Sequence, residues 1–126
     1  MMKSIVNNWI RQAESDLNSA KYNLDGNKLD VASYLCQQTA ENSLKALYLY
    51  KNDKLWKTHD LVKLAEFVKA PKEIVELCNE LNPIYIEDRY PDFSDEIPAK
   101  KFEEDDVKDF YKKAKLIIKW IKKQLK

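Results

Sequence analysis

The chain has 126 residues, of which 44% are hydrophobic and 34% charged, and a formal net charge of +1. That length suits one domain with a single core, and the near-neutral balance excludes a surface wholly given over to phosphate. One Gly and four Pro leave little material for hairpins, so the expectation is an all-α chain over residues 1–126.

No apolar run approaches the roughly 20 residues of a membrane span. The opening "MMKSIVNNWIRQAESD" is interrupted by charge too soon for a signal peptide, which points to the cytoplasm and away from membranes. Cys36 and Cys78 each fall within a helical pattern and read as reduced core residues. With a single His and no Cys cluster, no zinc site and no cofactor are expected.

The first helix is expected from about Ser4 to Asp25. Ile5, Trp9, Ala13, Leu17, Ala20 and Leu24 recur at helical spacing. Ser4 is the N-cap candidate and Gly26 the left-handed C-cap. The second helix is expected from about Asp30, as N-cap, to Lys51. Its apolar positions spread over much of the circumference, which makes it the central helix. One strip differs: Tyr34, Gln38, Glu41, Lys45 and Tyr48 fall within about 80° of one another.

Thr58 is the expected cap of a third helix whose buried stripe is Leu61, Leu64, Ala65 and Val68. Pro71 opens a fourth, with Ile74, Leu77, Cys78, Leu81 and Tyr85 inward. Pro83 is expected to kink that helix, which must stop near Arg89 because Tyr90 precedes Pro91. Residues 91–104 read as a long loop. The fifth helix, from about Asp105 to Gln124, turns Val107, Tyr111, Ala114, Ile118 and Ile121 inward. Leu116 and Trp120 lie off that face and are the candidate homodimer contact. Seven Lys and no acid occur from Lys112 to Lys126.

"CQQTAENSLKALYLY", "THDLVKL" and "LNPIYIEDRYPD", in this order and followed by a C-terminal helix with "IIKWIKKQL", resemble the HEPN domain family (higher eukaryotes and prokaryotes nucleotide-binding). The resemblance covers nearly the whole chain. It implies an up-and-down helical bundle of about five helices that homodimerises and partners a small nucleotidyltransferase, in some members as a toxin–antitoxin pair. It also implies a polar groove along the second helix. Many members are ribonucleases marked by an Arg followed closely by a His. Here no His follows Arg89 and the only His is His59, so no catalytic residue is expected.

The expected nucleotide- or RNA-phosphate-binding set is Tyr34, Gln38, Glu41, Lys45, His59, Arg89 and Tyr90. Tyr34 and Tyr48, at the ends of the strip, would offer ring faces for a base or ribose, and Lys45 a phosphate partner. All but two of the 22 basic residues are Lys, so Arg89 invites a specific role, as a planar fork for phosphate or for Glu41. Two alternatives stay open: a metal-independent ribonuclease using His59 and Arg89, and a protein-interaction bundle in which the strip is only a solvated edge.

Overall fold

A computed structural model of the chain describes residues 2–84 and 102–126. Five α-helices account for most of this: α1 (Met2–Asp25), α2 (Leu29–Asn52), α3 (Leu61–Phe67), α4 (Lys72–Leu81) and α5 (Glu104–Gln124). Among the described residues there is no strand, and no helix is long and apolar enough to cross a membrane. The all-α class expected from composition, and the five-helix bundle that the resemblance implies, are the observed fold.

α2 is the axis of the bundle and touches all four other helices. Every residue from Thr39 to Leu49 is buried, which is the structural meaning of its wide apolar arc. Leu44 and Leu47 from α2, Leu61 and Leu64 from α3, Leu81 from α4, and Ile117 and Ile121 from α5 are fully buried in one cluster. Truncating any of these Leu or Ile residues to Ala should cost about 2–5 kcal/mol. Cys36 and Cys78 lie in the same cluster as free thiols.

Helix ends depart from the sequence expectations in instructive ways. Ser4 lies inside α1 rather than capping it. The left-handed residue after α1 is Asn27 (φ 61°), not Gly26, whose N–H simply continues the helix to the Tyr22 carbonyl at 3.0 Å. Asn tolerates that conformation better than most residues. Asp30 sits in the first turn of α2, which begins at Leu29. α4 ends at Leu81, before Pro83, so the described part of that helix terminates where a kink was expected. The expected continuation through Tyr85 to Arg89, and Tyr90 after it, lie outside the described residues.

Candidate functional site

The short segment before α3 is fixed by its own polar side chains. Thr58 Oγ1 accepts the Asp60 N–H at 3.1 Å, a turn rather than the expected helix cap. Asp60 is the N-cap instead, accepting from the Lys63 N–H at 3.1 Å. Asn82 at the end of α4 donates to Asp60 Oδ1 at 3.1 Å and accepts the Leu61 N–H at 2.8 Å. This clamp ties α3 to α4 and aims the intervening residue, His59, at α2.

There His59 Nδ1 meets the Glu41 carboxylate, 3.1 Å from Oε1 and 3.0 Å from Oε2. The Lys45 ammonium donates to Glu41 Oε2 at 2.9 Å, and Gln37 Nε2 donates to Oε1 at 3.1 Å. Glu41 is only 3% exposed, and its carboxylate is therefore satisfied by three side chains. A carboxylate paired with an ammonium has no proton to give, so Nδ1 is the imidazole's donor to it. In the neutral ring Nε2 is then an acceptor.

A second polar knot lies between α1 and α2. Asn42 donates to Asp16 Oδ2 and Gln12 to Asp16 Oδ1, both at 2.8 Å. Burial pushes the Asp16 carboxyl above the ordinary value, with the two hydrogen bonds working in the opposite direction.

Above the Glu41 cluster is a pocket of about 360 Å³ lined by Trp9, Lys45, Leu55, Trp56, Lys57 and His59. The Lys45 ammonium lies 5.9 Å from the Trp9 ring centroid. Trp56 is held from behind by aromatic neighbours, with its ring centroid 5.4 Å from Tyr48 and 4.8 Å from Phe67. The pocket thus has two indole walls, a floor of paired charge and the exposed Lys57 beside it. Such a site suits a flat ring carrying an anionic group.

Of the residues expected from sequence, Glu41, Lys45 and His59 converge. Gln38 joins at one remove, donating to Gln37 Oε1 at 2.7 Å. Tyr34 is half-buried and does not line the pocket. Tyr48, at the far end of the strip, is buried in the core. Arg89 and Tyr90 lie outside the described residues. Gln37, Trp9, Trp56 and Lys57 were not anticipated. A Gln at a fully buried position of α2, and a Trp–Lys pair next to "THDL", were the available signals.

Leu116 and Trp120, expected together as a homodimer contact, have different surroundings. Trp120 is half-buried and packs against the main core, whereas Leu116 is 53% exposed. Among the described residues no group of three or more His, Cys, Asp or Glu side chains could hold a metal ion. Burial pushes both thiols up to about 12, which leaves neither a nucleophile at neutral pH.

A sequence model of the HEPN domain matches residues 6–124. The crystal structure of TT1696 from Thermus thermophilus is similar with a TM-score of 0.86 at 27% identity, over 94% of this chain and 96% of that one. The crystal structure of ST0689, an archaeal HEPN homologue, is similar with a TM-score of 0.84 at 31% identity, over 96% of this chain and 98% of that one. No curated protein matches the chain.

Proposed function

The chain belongs to the HEPN domain family, and from that premise we propose a homodimeric, non-catalytic module that binds a nucleotide or an RNA phosphate. The binding site is the pocket between α1, α2 and the segment before α3. The module partners a small nucleotidyltransferase subunit, as in a toxin–antitoxin-type pair. The observation that carries the binding part is the pocket itself: two indoles, Lys45 and Lys57 around a His59 imidazole anchored on Glu41. Stacking on an indole is available to any base, and a lysine ammonium to any phosphate.

The test is calorimetric titration of the wild type with nucleoside mono- and triphosphates and a short single-stranded RNA. Lys57→Ala should weaken binding about ten- to a hundredfold, the equivalent of ~1.5–3 kcal/mol for a charged hydrogen bond. Its thermal melt should be unchanged, because Lys57 is exposed. No binding by the wild type to any of these ligands would overturn the reading. So would RNA cleavage that His59→Ala abolishes, which would make the protein a nuclease. Light scattering at micromolar concentration tests the homodimer, and copurification with mass spectrometry from the native cell tests the nucleotidyltransferase.

A further inference from the structure

Between α1 and α5 runs an open groove of about 570 Å³, lined by Leu17 and by Leu116 and Ile118 with four lysines, Lys112, Lys115, Lys119 and Lys122. Most of its lining is aliphatic carbon, because lysine stems cover the walls while their ammonium groups reach for water. The cations follow one another at intervals of three, four and three residues. They therefore form a row along α5 about 15 Å long at 1.5 Å per residue.

Among the described residues the charge of this row is mostly uncompensated. Lys122 pairs with Glu14 of α1, and the Lys115 ammonium lies 5.5 Å from the Tyr111 ring centroid. Lys112 and Lys119 make no ion pair with any described residue. No acid follows Asp109 in the sequence. By contrast Lys113, on the neighbouring face, is held by Glu80 and Asp109.

We infer that this groove is a docking site for an acidic amphipathic helix of a partner protein. Its apolar stripe would lie along Leu17, Leu116 and Ile118, and its flanking carboxylates would follow the lysine row. The row has the three- and four-residue period of a helix, so a second helix alongside can match it charge for charge. A compact anion would call for cations converging on one point, and these are strung out along an axis. A second copy seated symmetrically would set the lysine row against itself, and like charges in register repel. The inference depends neither on the nucleotide pocket nor on the identity of the partner proposed above.

The test uses a fluorescein-labelled peptide of about 18 residues, long enough to form helix on binding, with Leu at helical spacing flanked by Glu. Its control has every Glu replaced by Lys. Fluorescence anisotropy should show saturable binding of the acidic peptide and none of the basic one. Leu116→Ser should weaken binding about tenfold. Lys112→Gln with Lys119→Gln should weaken it about fivefold at low salt and less at high salt. Both variants should melt with the wild type, since all three side chains are exposed. Equal binding of the two peptides, or none by the acidic one, overturns the inference. So does preferential binding of a short RNA or of phosphatidylglycerol vesicles that depends on the lysines but not on Leu116. A wild-type dimer that Leu116→Ser dissociates would assign the groove to a second copy and overturn it equally.

Discussion

Replacing Glu41 by Gln keeps the volume of the side chain and removes its charge. The Lys45 ammonium, with a side chain only 9% exposed, would then lose its one carboxylate partner among the described residues. Breaking a buried pair from one side costs about 3–5 kcal/mol, because the remaining charge is left uncompensated. Lys45 lines the pocket and can move toward solvent there, which places the loss at the lower end, about 3 kcal/mol. At roughly 4 °C per kcal/mol for a domain of this size, the melting temperature should fall by about 12 °C. Changing both partners, Glu41→Leu with Lys45→Met, removes the stranded charge and should cost less than Glu41→Gln alone. Calorimetry and urea unfolding followed by tryptophan fluorescence measure both effects, with an unchanged denaturant slope as the check that the unfolded state is the same. If Glu41→Gln melts within about 2 °C of the wild type, or if the effects at the two positions simply add, the pair is not the coupled buried unit described above.

The two thiols, raised to about 12 by burial, should resist iodoacetamide at pH 7.5 in the folded protein and react fully once it is unfolded; labelling followed by mass spectrometry distinguishes these outcomes. Asp16 should oppose folding when ionised. Its folded-state value lies above 3.8, so the native chain holds the proton longer, and the stability associated with it is complete below 3.8 and lost as pH rises through the folded value. The stability difference, wild type minus Asp16→Asn, should therefore shrink between pH 3 and 6 in urea titrations, and a growing difference would contradict the assignment.

The sequence was most legible where periodicity and burial coincide. The continuous apolar arc of α2 led directly to its central position, and the stripe of α5 to Ala114, Ile118 and Ile121 in the core. Caps were less legible because several polar residues compete over a few positions. Thr58 and Asp60 can both cap, and only the position of Asn82, 22 residues beyond Asp60, selects Asp60. The polar strip was legible as a line but not as a network. A helical wheel separates Gln37 from Glu41 only by angle and cannot show that His59, 18 residues further on, folds back onto the same carboxylate. It also treats Tyr48 as equivalent to Lys45, although the former is buried in the main core and packs against Trp56 and Phe67. The pocket walls were invisible for a related reason. Trp9 has the period of a core residue and packs against the buried Val6, Ala46 and Leu49, but its partly exposed edge becomes a pocket wall only once the segment carrying Trp56 is in place.

The Glu41 cluster also sets what the pocket can do with an anion. Lys45 is already engaged by Glu41 at 2.9 Å, so a phosphate entering the pocket would have to compete with a buried carboxylate for it. Among the described residues Lys57 carries no such engagement, and no acid lines the pocket beside it. Charge should therefore contribute about one phosphate contact, while the indoles of Trp9 and Trp56 supply the larger share at ~1–3 kcal/mol per stacked base. Such a division has a measurable signature in salt. For a short single strand, the logarithm of the binding constant should fall with the logarithm of salt concentration at a slope near about −0.7, the value for one released counterion. Lys57→Ala should flatten that slope toward zero, and Lys45→Met should leave it nearly unchanged while lowering the melting temperature. Trp9→Ala should weaken binding at every salt concentration without altering the slope. A wild-type slope of about −1.4, halved by Lys45→Met, would mean that Lys45 leaves Glu41 for the ligand and that the cluster rearranges on binding.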